Sequence, residues 1–268
     1  MFSSSQVGTR LTPLYGLADK VAIVTGSAQG LGREIASLFA EVGAAVVIAD
    51  LNADAARATA ADIEAQGGIA AAAQVDIADE ASVTNLFSFA EKQLGVIDVL
   101  VNNAANRAKA ELFEMTCEQW DAMLSVTLRG TFLCCREAIA RMKAQGRGGT
   151  IVNISTVGSL HTTLWGVNTH YDAAKAGVDS LTRSFASEFA RDGIRVNSIL
   201  PGGMASEGAG QIGSTYQIRG PMIGADRIPF GRLAHPLEVA QAVLFFASPA
   251  SSYITGQTVA ADGGFSVS

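Results

Sequence analysis

Residues 154–177 read ISTVGSLHTTLWGVNTHYDAAKAG, a hydroxyl-rich turn running into Tyr171 and Lys175, four residues apart. Four residues is one helical turn, so on a helix the phenol and the amine share a face. A nearby ammonium favours the phenolate and brings a tyrosine toward the pKa of a working acid/base. Alone, such a pair more often decorates a solvated helix face. The reactive reading requires the rest of the chain to build a cofactor site beside it.

A second group of residues offers one. In VTGSAQGLGREIASLFA, Gly26, Gly30 and Gly32 stand between an apolar run and a helical one. A glycine-rich turn lets backbone approach a pyrophosphate, and the following helix N-terminus presents free N–H groups and a favourable dipole. The plainer reading is a tight turn that needs positive φ. Asp50 closes VVIAD, 24 residues beyond Gly26. A carboxylate there accepts from both ribose hydroxyls of adenosine and repels a 2′-phosphate; its plainer role is a helix N-cap. Leu51 follows, and Ser27, Ala28 and Gln29 supply no cation, so NAD is expected over NADP. Asp76 and the pair Asn102-Asn103 end two further apolar runs on the same edge, where each would otherwise cap a turn.

Short β-branched runs at 20–25, 44–49, 69–75, 96–101, 150–155, 194–200 and 257–261 predict seven strands, separated mostly by helical stretches of a dozen residues or more. Runs such as VAIV and VVIA are apolar throughout, the pattern of a parallel sheet buried on both faces. The expected fold is α/β: a doubly wound parallel sheet of the Rossmann type, one domain over 1–268 with an extension at 1–18. In the Ala-rich stretch 53–73, Asp54, Arg57, Asp62 and Glu64 recur at the spacing of an exposed helix face. The Gly-rich segment 202–231 is too long for an ordinary connection and is expected to cover the sheet's carboxyl edge as a substrate lid.

With these residues in view, the chain resembles the short-chain dehydrogenase/reductases from about residue 20 to 264. The glycine turn 25–32, NNAA at 102–105, YDAAK at 171–175, PGGMAS at 201–206 and ITGQTVAADGG at 254–264 carry the likeness. The resemblance implies that Tyr171 is the catalytic acid/base and Lys175 its partner. It implies a dinucleotide held by Gly26, Gln29, Gly30, Leu31, Gly32, Asp50, Leu51, Asp76, Ile77, Asn103, Ala104, Ala105, Tyr171, Lys175, Pro201, Gly202, Met204 and Ser206.

Two positions depart from the family's pattern. A catalytic serine usually stands thirteen residues before the tyrosine, whereas the position matched through NIS is Thr156, fifteen before it, with Ser155 and Ser159 as alternatives. In MLSVTLRGTF the family's asparagine, which holds a water in a proton relay, is replaced by Thr127. A hydroxyl donates and accepts, so Thr156 can orient a substrate oxygen, and either Thr127 carries part of the asparagine's role or the relay is rerouted. The implied activity is NAD-dependent interconversion of a secondary alcohol and a ketone. Leu164, Trp165, Met204, Ile212, Tyr216, Ile218 and Met222 either line a pocket for an apolar or aromatic substrate or pack the lid or a subunit contact. The alternatives are a non-catalytic dinucleotide sensor on the same fold, or an isomerase or dehydratase that retains its NAD. The resemblance also implies a homotetramer, for which Leu128, Phe132, Val178 and Phe185 supply apolar surface.

Composition limits the other classes. A net charge of −6 with no Lys/Arg run opposes nucleic acid as a partner. No stretch reaches the roughly 18 apolar residues of a membrane span, and residues 1–20 hold no signal-peptide core, so a cytoplasmic protein is expected. Cys117, Cys134 and Cys135 fit no metal spacing and read as reduced core residues. His161, His170 and His235 fit neither a triad nor a metal site.

Overall fold

The computed structural model describes residues 13–161, 168–205 and 228–268. Seven strands form one sheet: β1 (Val21–Thr25), β2 (Ala45–Asp50), β3 (Ile69–Gln74), β4 (Ile97–Asn102), β5 (Gly149–Ile154), β6 (Ile194–Pro201) and β7 (Thr258–Ala261). Each lies within one residue of its expected bounds. All pairings are parallel, in the order β3-β2-β1-β4-β5-β6-β7. The order reverses at β1, which leaves a crevice between the chains leaving β1 and β4 at their carboxyl ends.

Among the described residues, seven helices of eight residues or more flank the sheet: α1 (Gly30–Glu41), α2 (Ala53–Ala65), α3 (Glu80–Leu94), α4 (Cys117–Leu124), α5 (Thr131–Gln145), α6 (Thr169–Phe189) and α7 (Pro236–Ala247). Alternate strand residues serve the two faces. Val24, Val46 and Ile48 meet Ile35 and Phe39 of α1, Ile63 of α2 and Val243 of α7; Ile23, Val47 and Leu100 meet Phe87 of α3, Met142 of α5 and Ala186 of α6. Phe39 and Phe87 are wholly buried, and a side chain of that kind contributes about 1.5–3 kcal/mol by leaving water. In α2 the buried set Ala56, Thr59, Ala60 and Ile63 has helical period, while Asp54, Arg57, Asp62 and Glu64 are exposed as expected.

Local signals set the helix ends. Asn52 caps α2 by accepting from Ala55 N, and Asp79 caps α3 by accepting from Ser82 N. His235 caps α7, with Pro236 as its first residue and Glu238 accepting from His235 N. Between α4 and α5 the helix widens into a π-helical stretch, Ser125–Gly130.

Two expectations need correction. Cys134 and Cys135 are buried, and burial pushes their thiols up; Cys117 begins α4 and is exposed, so it is no core residue. Val178 is 1% exposed and is consumed within the protomer, whereas Leu128, Phe132 and Phe185 keep partial exposure. Among the described residues no helix is long and apolar enough to cross a membrane, and no cluster of His, Cys, Asp and Glu is arranged to hold a metal ion.

Candidate active site

The glycine turn closes around missing side chains. Gly30 has φ +57°, in the left-handed region that favours glycine. A Cβ on Gly32 would lie 2.2 Å from Gly26 O and 2.5 Å from Asn103 Nδ2. A Cβ on Gly30 would meet nothing within 4 Å, because that side of the turn opens into the crevice. Gln29, the N-cap of α1, makes no side-chain cap bond. The first N–H groups of α1 therefore keep no side-chain partner at their cap and are available to an anion.

The chain leaving β4 braces this turn. Asn103 Nδ2 donates to Thr25 O at 3.0 Å and to Gly26 O at 2.8 Å, and Asn103 N and Ala104 N both donate to Thr25 Oγ1 at 3.1 Å. Asn102 points the other way: its Nδ2 donates to Asn153 Oδ1 at 2.8 Å and ties β4 to β5. Asp50 is not the N-cap of α2, a place that Asn52 holds. Its carboxylate instead accepts from Ala28 N and Asn52 N, both at 3.0 Å, and is fixed at the crevice rim. Asp76 accepts from Ala78 N at 2.9 Å in the corresponding turn after β3.

The crevice encloses about 400 Å³. Gly26, Gln29, Gly30, Leu31, Gly32, Asp50, Leu51, Asp76, Ile77, Asn103, Ala104, Ala105 and Met204 all line it. Val75, Arg107 and Val126 line it as well, and the sequence reading missed them. Pro201 is buried at the end of β6, and Gly202 packs so closely on Asp262 that a Cβ would stand 2.8 Å from Asp262 Cα. These two shape the turn rather than the crevice wall. Ser206, Leu164, Trp165, Ile212, Tyr216, Ile218 and Met222 lie outside the described residues, as does most of the expected lid. The donor set suits a dinucleotide: free N–H groups and an open glycine for a pyrophosphate, and a fixed carboxylate at one end for hydroxyls.

Tyr171 and Lys175 occupy the first turns of α6. Lys175 is 1% exposed; its Nζ donates to Ile154 O at 2.5 Å and stands 5.7 Å from the centre of the Tyr171 ring. Burial, reinforced by the Arg107 charge and opposed by Asp179, pushes the amine down to about 7. Tyr171 departs from the expected depression. Burial raises its phenol, the Arg107 guanidinium pulls it back, and Asp172 adds to the rise. Arg107 is thus a charge that acts on both members of the pair.

The three candidate hydroxyls are engaged differently. Ser155 is buried and donates to Lys175 O at 3.3 Å. Ser159 donates toward Asp179 Oδ2 at 2.6 Å and Thr156 O at 2.8 Å. Thr156 is half-buried, and its Oγ1 accepts from Gly158 N at 3.2 Å, which leaves the hydroxyl hydrogen free to donate. Thr127 is fully buried in the π-helical stretch; its hydroxyl accepts from Asn106 N at 3.2 Å and reaches Met123 Sδ at 3.4 Å. It ties the loop after β4 to the π-helical stretch.

A second depression of about 680 Å³ lies between Leu124, Leu128, Phe132 and Leu181. It is apolar and carries neither the glycine turn nor the tyrosine–lysine pair.

The comparisons with known proteins bear on the family and the fold. A family model described as enoyl-(acyl carrier protein) reductase matches residues 26–266. The chain is 41% identical over 249 residues to cis-4-hydroxycyclohexanecarboxylate dehydrogenase of Sinomonas cyclohexanicum, covering 92% of this chain and 97% of that protein. It is 39% identical over 257 residues to a sorbitol dehydrogenase of Cereibacter sphaeroides, covering 92% and 98%. A crystal structure of a short-chain type dehydrogenase/reductase from Mycobacterium marinum superposes with a TM-score of 0.89 at 32% identity, covering 95% of this chain and 98% of that one.

Proposed function

The chain belongs to the short-chain dehydrogenase/reductase family, and from that premise we propose that it is an NAD-dependent dehydrogenase interconverting a secondary alcohol, carried on a carbon ring, with the ketone. The observation that carries this reading is the buried Lys175 beside Tyr171 at the carboxyl edge. An ammonium withdrawn from water is costly and finds its reason in chemistry more readily than in packing. The ring is favoured because the Sinomonas relative is named for a hydroxycyclohexane acid and a Sphingobium indicum relative, 37% identical over 251 residues, for a cyclohexadiene diol.

In the oxidation direction Tyr171, as phenolate, takes the proton of the alcohol hydroxyl. Arg107, with Lys175 when protonated, stabilises that phenolate against the effect of burial. Thr156 donates its free hydroxyl hydrogen to the substrate oxygen and fixes its position. A bound dinucleotide supplies the hydride acceptor. Asp50 carries the preference for NAD, because its fixed carboxylate accepts from ribose hydroxyls and repels a 2′-phosphate. The partly exposed apolar strip of Leu124, Leu128, Phe132 and Leu181 is the surface through which the homotetramer would assemble.

The test is a panel of cyclic and acyclic secondary alcohols with NAD and with NADP, read by absorbance of the reduced nicotinamide. Turnover with NAD is expected, together with a loss of at least about 10³-fold in Tyr171→Phe while that variant still binds NADH. Normal turnover in Tyr171→Phe, or no reduction of NAD by any alcohol, overturns the reading.

A further inference from the structure

Among the described residues lining the crevice, Arg107 is the one cation, set among Asp50 and Asp76. Arg33, Arg57, Arg136, Arg141, Arg147 and Arg232 pair with carboxylates, and Arg195 is held by backbone carbonyls. Arg107 is exposed and has no ion pair or side-chain hydrogen bond to any described residue.

Its mounting is nevertheless rigid. The preceding residue is pinned twice: Asn106 N donates to the buried Thr127 hydroxyl at 3.2 Å, and Asn106 Oδ1 accepts from Ala108 N at 2.9 Å. Three and two residues before Asn106, Asn103 and Ala104 are fixed to β1. A π-helical stretch, which is costly and gathers at functional sites, supplies Thr127. The guanidinium thus stands on a held loop in the crevice wall, and its charge acts on both Tyr171 and Lys175.

We propose that Arg107 is a specificity residue that receives an anionic group of the substrate, a carboxylate, and thereby selects hydroxy acids over neutral alcohols. A planar guanidinium offers two parallel N–H donors that match a carboxylate. Because the loop is held in place, little ordering is lost when the anion docks. The proposal rests on the dehydrogenase reading above for its substrate, but its anion site can be tested without turnover.

Wild type, Arg107→Gln, Arg107→Lys and Arg107→Glu are compared on 4-hydroxycyclohexanecarboxylate and on its carboxamide, each at its alkaline plateau. The quantity read is the ratio of kcat/KM for acid over amide, which cancels whatever a substitution does to Tyr171 and Lys175. Wild type is expected to favour the acid by about 10- to 100-fold, the worth of a charge-assisted hydrogen bond. The ratio falls to about 1 in Arg107→Gln, drops below 1 in Arg107→Glu, and is partly kept in Arg107→Lys.

A calorimetric titration of cyclohexanecarboxylate, which has no hydroxyl to oxidise, into the NAD-saturated protein gives the independent reading. Binding that disappears in Arg107→Gln supports the anion site even if no alcohol is turned over, in which case the dehydrogenase reading alone fails. Turnover with a ratio that no Arg107 variant moves overturns the proposal and leaves that reading standing. An unmoved ratio with a tenfold loss of NADH affinity overturns it also, since the anion met by Arg107 would then be the dinucleotide's own phosphate.

Discussion

Lys175 reaches back across the turn from α6 to β5, its Nζ 2.5 Å from the carbonyl oxygen of Ile154, and so holds its amine out of water. The bond aims the side chain, and the same burial brings its pKa from 10.5 down to about 7.

That shift has a sign in stability. Between pH 7 and 10.5 the unfolded chain binds a proton at this lysine that the folded chain does not, so folded stability rises with pH across that window. Below pH 7 both states are protonated and the cost of burying the charge is present in full. Lys175→Met is therefore expected to melt above wild type below pH 7, with the difference shrinking toward pH 10, while activity falls at least about 10²-fold. Thermal scans from pH 6 to 10 measure it; a difference that does not change with pH contradicts the buried-charge account.

The three hydroxyls separate by substitution. Thr156→Val removes the one with a free hydrogen and is expected to lower kcat about 10²-fold or more, with Thr156→Ser retaining most of it. Ser159→Ala leaves the buried Asp179 with Ser198 Oγ as its remaining hydroxyl partner. It is expected to cost about 1–3 kcal/mol of stability and to keep the kcat of the folded enzyme. Steady-state kinetics with melting curves distinguish the two; a larger kcat loss in Ser159→Ala reverses the assignment.

The fold was readable because strands buried on both faces have no polar alternation to hide them: VAIVT and AVVIAD are apolar nearly throughout. The dinucleotide edge was readable for a related reason, since Gly26, Gly30 and Gly32 answer to steric constraints within one turn. The hydroxyls resisted because spacing to Tyr171 does not reveal which oxygen is already engaged. Ser155 and Ser159 find their partners in α6, twenty residues away along the chain. Arg107 escaped notice although its signal was present: a cation four residues past Asn103, beside the edge that carries Asp50 and Asp76. Its significance depends on Thr127, read from the sequence as standing where the family has its relay asparagine, whose hydroxyl accepts from the Asn106 peptide N–H.

Thr127→Val keeps the shape and removes that bond. The Asn106 N–H then loses its acceptor, at a cost of about 1–3 kcal/mol, and a drop in Tm of about 2–4 °C per kcal/mol is expected for a chain of this size. If the hydroxyl serves mainly to hold the loop, KM for a hydroxy acid rises more than kcat falls, and Thr127→Ser restores both. A loss confined to kcat, with the pH profile displaced, would return Thr127 to the proton relay.

Cofactor choice follows from Asp50. Asp50→Asn keeps an acceptor for Ala28 N or Asn52 N but removes the charge that repels a 2′-phosphate and strengthens the bonds to ribose hydroxyls. The ratio of kcat/KM for NAD over NADP is expected to fall about 10- to 100-fold, with melting temperature little changed. An unaltered ratio would move cofactor selection away from β2.

The two inner glycines should fail in different ways. In Gly32→Ala the new Cβ meets Gly26 O at 2.2 Å, a backbone atom held in turn by Asn103, so the turn itself must move and stability falls by about 1–3 kcal/mol. In Gly30→Ala the Cβ meets no protein atom within 4 Å, and the fold bears only the strain of its positive φ, about 1–2 kcal/mol. That methyl projects into the space assigned to the pyrophosphate. Gly30→Ala is therefore expected to melt closer to wild type than Gly32→Ala while losing NADH affinity at least tenfold, as read by fluorescence titration. Unimpaired NADH binding in Gly30→Ala would show that the open side of the turn is not where the phosphates lie.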